Sequence, residues 1–252
     1  MSSIRIAGAQ SISVAGNIAA NVQTHAEFIA AAHSAKIDLL VFPELSLCGY
    51  ELQLLRDCVL HPDDSRLTPI RNMACETQMT VVVGAPVANG DGMAPAIGAI
   101  TFFADGRHSV YRKEHLHPGE ELFASKGNAE SRTDELLGKS FSLAICADTT
   151  HESHAASAAM AGASLYLAGV LVSEAGYAAD TAKMQHYANS LNLGVLMANH
   201  GGPSGGYVSA GKSAFWAPGG SLVVQALGTE SVLVVAENHA GSWDGRLIAV
   251  GN

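Results

Sequence analysis

The spacing of apolar and polar positions changes repeatedly along this chain. In "IRIAGAQ", Ile4 and Ile6 alternate with a polar neighbour, the period of a strand. Over 17–36, Ile18, Val22, Ala26 and Ile29 recur at helical spacing and predict an amphipathic helix. "LLVF" reads as a short buried strand. "TPIRNMACETQM" predicts a helix with Thr68 as N-cap and Pro69 at its first position. "TVVVGAPV" is a strand again, and "AIGAITFF-ADG-RHSVYRK" a hairpin with Asp105 and Gly106 in the turn. Beyond a polar loop come the strand "SFSLAIC", a small-residue helix over 152–161, the strand "SLYLA", a helix over 180–191 and the strand "GVLMA". "SAFWA-PGG-SLVVQA" predicts a second hairpin, and "SVLVVAE" the last strand.

No internal repeat, low-complexity tract or linker interrupts this order. The loop "NHGGPSGGYVSAGKS" is rich in glycine but lacks the spacing of a phosphate-binding loop, and it does not lead from a strand into a helix. Parallel-type strands mixed with hairpins do not fit a simple doubly wound sheet. They predict two mixed sheets packed together, each covered by helices on its outer face.

Composition narrows the function. With 252 residues and 48% hydrophobic content, the chain can bury a sizeable core, and residues 1–252 are expected to form a single domain. The formal net charge of −9 argues against nucleic acid or an anionic membrane surface as partner. There is no apolar run long enough to span a membrane, and "MSSIRIAGAQ" does not read as a signal peptide. Cys48, Cys58, Cys75 and Cys146 form no CxxC pair, so reduced thiols in a cytoplasmic protein are expected.

Three ionisable residues share a position. Glu44 in "LLVFPELSLCGY", Lys113 in "SVYRKEHL" and Cys146 in "SFSLAICAD" each follow a predicted strand. Groups at strand ends face the crevice where layered α/β folds place their sites, on rigid supports. Singly, each has a plain reading: a buried cysteine, a solvated lysine with its stem on apolar surface, a turn glutamate.

The words around them change the weighing. "FPELSLCGY", "YRKEHL" and "AICAD", in this order and at these separations, resemble the three signature blocks of the nitrilase (carbon–nitrogen hydrolase) superfamily. "YANSLNLGVLMANHGG" and "AGKSAFWAPGGSLV" resemble its late blocks, and the likeness runs from "IRIAGAQ" to "SVLVVAE". The resemblance implies an α/β fold, a four-layer αββα sandwich of two mixed β-sheets flanked by helices. It implies a Glu44–Lys113–Cys146 triad that cleaves a small amide to an acid and ammonia through a thioester. In that scheme Lys113 lowers the thiol pKa and, with the Ala147 backbone N–H, stabilises the oxyanion. Glu44 is the general base and acid, and no metal or organic cofactor is needed. "HPGEELF" offers a second site glutamate, Glu120 in preference to Glu121. Asn199 and Ser213 lie in recognisable blocks as substrate-binding residues, and Arg112, His115 and Tyr166 are further wall candidates. The family also implies a homodimer, for which the Ala/Gly-rich helix "AASAAMAGA" is a candidate face.

The chain departs from the family where "CADTTHESH" replaces the usual aromatic residue after the cysteine and the Arg-aromatic-Pro-Glu word that follows. These changes leave the triad and alter the pocket wall. An amide substrate is expected over a nitrile because Cys146-Ala147-Asp148 lacks the Trp-Glu of nitrile-cleaving members; an N-carbamoyl amide is the alternative. Rival readings are weaker. His115 with His117, or His151 with His154, have metal-like spacing, but no H-E-x-x-H or Cys/His ligand set exists. A Cys–His hydrolase needs a histidine at Cys146, whereas His151 and His154 are expected on the helix leading away. An inactive binding protein would have no use for the intact triad.

Overall fold

The computed structural model describes residues 3–90, 92–128 and 133–251. Its first sheet holds β1 (Ile4–Gln10), β2 (Leu39–Val41), β3 (Thr80–Val87), β4 (Ala96–Phe102), β5 (His108–Arg112), β12 (Val232–His239) and β13 (Ser242–Ala249), in the order β13-β12-β1-β2-β3-β4-β5. The second holds β6 (Asp134–Leu136), β7 (Lys139–Ile145), β8 (Leu165–Val170), β9 (Gly194–Asn199), β10 (Ala214–Trp216) and β11 (Leu222–Gln225), in the order β11-β10-β9-β8-β7-β6. β1, β2 and β3 run parallel, as do β7, β8 and β9, while hairpins complete each sheet. Helices α1 (Ile18–Ser34) and α2 (Thr68–Thr77) cover the first sheet, and α3 (Glu152–Met160) and α4 (Tyr177–Ser190) the second. The molecule is thus the four-layer αββα sandwich.

Strand periodicity explains the layers. On β8, Leu165 and Leu167 join the core between the sheets, whereas Tyr166, Ala168 and Val170 face α3 and α4. β9 sorts likewise, Leu196 and Ala198 inward, Val195 and Met197 outward. Both faces are buried, so these strands read as unbroken apolar runs rather than as alternation. α1 starts where Asn17 accepts the Ala20 N–H at 3.1 Å and buries Ile18, Val22, Phe28 and Ile29.

Several boundaries differ from expectation. Thr68 is the first residue of α2 and not its cap; its hydroxyl accepts from Arg71. A 3-10 turn, Ser65–Leu67, capped by Asp64, feeds directly into the helix. α4 begins at Tyr177 rather than 180. "SVLVVAE" is not the last strand, because β13 pairs with it along its whole length. Among the described residues, no helix is long and apolar enough to cross a membrane.

Candidate active site

The three strand ends meet. Glu44 lies just beyond β2, Lys113 and Cys146 directly after β5 and β7. Lys113 Nζ is 2.6 Å from Glu44 Oε1 and 2.8 Å from Glu120 Oε1, with all three side chains removed from solvent. Glu120 opens a 3-10 turn (Glu120–Leu122) behind Gly119, which adopts φ +98°. Its Oε1 also accepts from the Tyr50 hydroxyl, and its Oε2 from the His117 N–H at 2.8 Å. Glu121, by contrast, is exposed and accepts from the Gly119 N–H. Glu44 Oε2 is buried and has no hydrogen-bond partner among the described residues, while the Cys146 thiol is close enough to bear on its acidity.

Cys146 sits at a sharp elbow. Its φ of +42° is in the left-handed region that β-carbon-bearing residues avoid, a strain of about 1–3 kcal/mol. Side chains offset it. Asp148 Oδ2 accepts from the Ile145 N–H at 3.0 Å, and the Thr149 and Thr150 hydroxyls donate to the Cys146 and Ala147 carbonyls at 2.8 Å. The thiol lies 3.8 Å from the Leu171 carbonyl and opens on a cleft of about 240 Å³ lined by Tyr50, His117, Leu171 and Tyr207.

Burial and charge set the protonation states. Burial raises the Glu44 pKa to about 7; Lys113 pulls it down and Glu120 pushes it up. The same burial, then Glu44, push the Cys146 thiol well above its ordinary range, and Lys113 only partly counters them. The expectation that Lys113 lowers the thiol pKa holds in sign, but burial and Glu44 outweigh it. Burial alone would discharge Lys113, but Glu44, Cys146 and Glu120 outweigh it and hold the ammonium.

A second layer ties the Cys146 elbow to the strand that Lys113 follows. Asp148 Oδ1 accepts from the His115 N–H at 2.8 Å, and Asp148 Oδ2 from the Tyr111 hydroxyl at 2.7 Å. His154 Nε2 lies 2.9 Å from that hydroxyl and its Nδ1 2.8 Å from Tyr166. His115 stacks on His151 at 3.8 Å between ring centroids. His154 lies on α3 as expected, with His151 as its N-cap, and its ring packs behind the elbow through Tyr111. Among the described residues, no group of three or more His, Cys, Asp or Glu is arranged to hold a metal.

The wall differs from expectation. Asn199 is buried with its amide spent on Val172, His200 and Gly211, and Ser213 accepts the Asn199 N–H at 2.9 Å. Neither lines the cleft beside Cys146; through Val172 they brace Leu171, which does. Tyr166 is enclosed against His154, and Arg112 turns its guanidinium to the Ala88 carbonyl. Ala147 is buried in the elbow turn. Four residues escaped the sequence reading. Tyr50 ends the "FPELSLCGY" word and had that signal; Leu171 lies in "AGVLVSEAGY", the segment after the next strand, and Tyr207 had none. His200, whose Nε2 is 2.7 Å from the Glu44 carbonyl oxygen, sits one residue past Asn199.

Glycines make room for Glu44. A β-carbon on Gly84 would lie 2.3 Å from the Pro43 carbonyl oxygen and 2.4 Å from the Leu45 nitrogen, and one on Gly169 2.7 Å from the Phe42 oxygen. Gly84→Ala must therefore displace the Glu44 turn. We expect a loss of roughly 1–3 kcal/mol in urea unfolding, typical of overpacking, together with reduced amide turnover. Wild-type values for both would show that the turn does not depend on this approach.

Fold and site together define a member of the nitrilase superfamily. The carbon-nitrogen hydrolase family model matches residues 3–243, and the chain belongs to that family. Among solved structures it is similar to an amidase from Nesterenkonia sp. AN1 carrying the acetamide moiety of fluoroacetamide on its active-site cysteine. That likeness has 24% identity and a TM-score of 0.85, covering 93% of this chain and 90% of that one. A cysteine mutant of the same amidase is 25% identical, with a TM-score of 0.84 and coverage of 92% and 90%. Nit3 of Saccharomyces cerevisiae, from branch 10 of the superfamily, is 22% identical, with a TM-score of 0.85 and coverage of 93% and 89%.

Proposed function

We propose that this carbon–nitrogen hydrolase is an amidase, cleaving a small linear amide to a carboxylic acid and ammonia through a thioester on Cys146. The observation that carries the reading is the buried Glu44 carboxylate, whose Oε2 has no other partner among the described residues and whose acidity responds to the Cys146 thiol, which opens on a cleft. Glu44 takes the thiol proton as Sγ bonds to the amide carbon. Lys113 has three N–H donors, of which Glu44 and Glu120 engage two. The third, with the Ala147 N–H, receives the oxyanion. Protonated Glu44 then gives its proton to the nitrogen, the C–N bond breaks and ammonia leaves. Water attacks the thioester, its proton passes to Glu44, and the acid departs with the thiol restored. Glu120 holds Lys113 in place. No step calls for a metal or an organic cofactor. The acetamide adduct of the Nesterenkonia amidase, and its complex with butyramide, support a small amide as substrate.

Intact-protein mass spectrometry during turnover of a slow linear amide is expected to show an acyl adduct, mapped by digestion to the Cys146 peptide, with ammonia released. Chelators should leave the rate unchanged. Carbon dioxide released with ammonia from N-carbamoyl acids, and no turnover of simple amides, would replace this reading with the carbamoyl alternative. Absence of both adduct and ammonia across the panel would remove the enzyme reading.

A further inference from the structure

Among the described residues, the walls around Cys146 carry no lysine or arginine. Tyr50 and Tyr207 meet edge to face, 5.8 Å between centroids, and Leu171 adds an aliphatic surface. The Tyr50 hydroxyl is committed to Glu120. His117 Nδ1 lies 3.1 Å from the Pro118 carbonyl oxygen and donates to it. Behind these walls one ammonium, Lys113, faces two carboxylates, Glu44 and Glu120. Their formal sum is −1 with both ionised and zero with Glu44 protonated.

Charges near these elements are paired or turned aside. Arg112 is turned away onto the Ala88 carbonyl, and Glu121 is exposed beside Gly119. Asp180 on α4 feels both His117 and Lys183, so the ammonium on that side faces a carboxylate of its own. A substrate carboxylate entering the cleft would lose hydration, find no cation to replace it and meet an acidic protein of net charge −9. Aromatic and aliphatic walls reward an alkyl chain instead.

Resting on the amidase reading, we infer that the cleft selects amides with an uncharged, apolar acyl chain and rejects those whose acyl chain ends in a carboxylate, with His117 and Tyr207 as the residues that set this choice. Butyramide and succinamate, the monoamide of succinate, make a matched pair: the same four-carbon chain, with a terminal methyl replaced by carboxylate. The intact protein is expected to turn over butyramide with a kcat/KM at least roughly 100-fold higher, as expected where like charges meet in a desolvated site. His117→Arg and, separately, Tyr207→Arg place a permanent cation on the wall. Each should narrow that ratio at least about tenfold toward succinamate; should a variant not fold, the wild-type pair still decides. Succinamate turned over as well as butyramide, with acylation of Cys146, would overturn the selectivity and leave the amidase reading standing. If neither amide releases ammonia or acylates Cys146, the amidase reading falls and takes this inference with it.

Discussion

Cys146→Ala is expected to fold as the parent does and to lose turnover on the order of 10⁶-fold, the scale of removing a nucleophile. The substitution exchanges one small residue for another at a half-buried position. It leaves the elbow's φ no more strained than before, and the Asp148, Thr149 and Thr150 side-chain hydrogen bonds that shape the elbow do not involve the thiol. Stability should change by no more than about 1 kcal/mol, within the common range for point changes. Replacing Cys48, Cys58 or Cys75 by alanine should leave turnover near normal. Cys58 is the instructive control. Its partner Cys48 lowers its thiol pKa to about 7, whereas Cys146 is pushed up. Acidity alone would thus pick Cys58 as the reactive thiol, but Cys58 is buried and does not line the cleft. Comparable ammonia release by Cys146→Ala, with loss in Cys58→Ala, would move the chemistry to the wrong thiol for this scheme.

The parts legible in the sequence were those with one dominant cause. Strands buried on both faces announce themselves as apolar runs, and Glu44 and Cys146 lie just past two of these; Lys113 follows the half-exposed β5, where the word "YRKEHL" was the signal. β13 was not legible because it carries Trp243, Asp244, Gly245 and Arg246 on an edge with much of its length exposed. Gly245 is there for a crossing strand, since a β-carbon would lie 2.5 Å from Val224 of the other sheet. The three-residue β6 has too little length to show a period. Asn199 and Ser213 stand in recognisable words, yet a word does not say whether an amide faces the substrate or the backbone, and here it faces Val172. The thiol's protonation was beyond sequence because it depends on burial winning over Lys113. Tyr207 and Leu171 reach the cleft from loops that only tertiary packing brings together.

Glu44→Gln and Lys113→Gln are expected to fail in different ways. Glu44→Gln keeps shape and hydrogen-bonding capacity but accepts no proton, and should lower kcat roughly 10²–10⁴-fold, the range for a general base. Lys113→Gln removes the oxyanion's ammonium and should cost about 10²–10³-fold. It also leaves two buried carboxylates without a cation, a loss of about 3–5 kcal/mol, so circular dichroism must first show a folded variant. The double variant should be far less than multiplicatively worse, because residues acting as a unit are non-additive. The pH profile separates positioning from general damage. In the proposed scheme Glu44 acts ionised, and its pKa is raised to about 7, so wild-type kcat/KM should rise with pH through about 7 and fall below it. Lys113 holds that pKa down and Glu120 holds it up. Lys113→Gln should therefore move the acid limb to higher pH, and Glu120→Gln to lower pH. Shifts of opposite sign cannot come from a loosened fold alone. An acid limb that stays put in both variants, or lies near 4.5 in the wild type, would mean that Glu44 is not the titrating base.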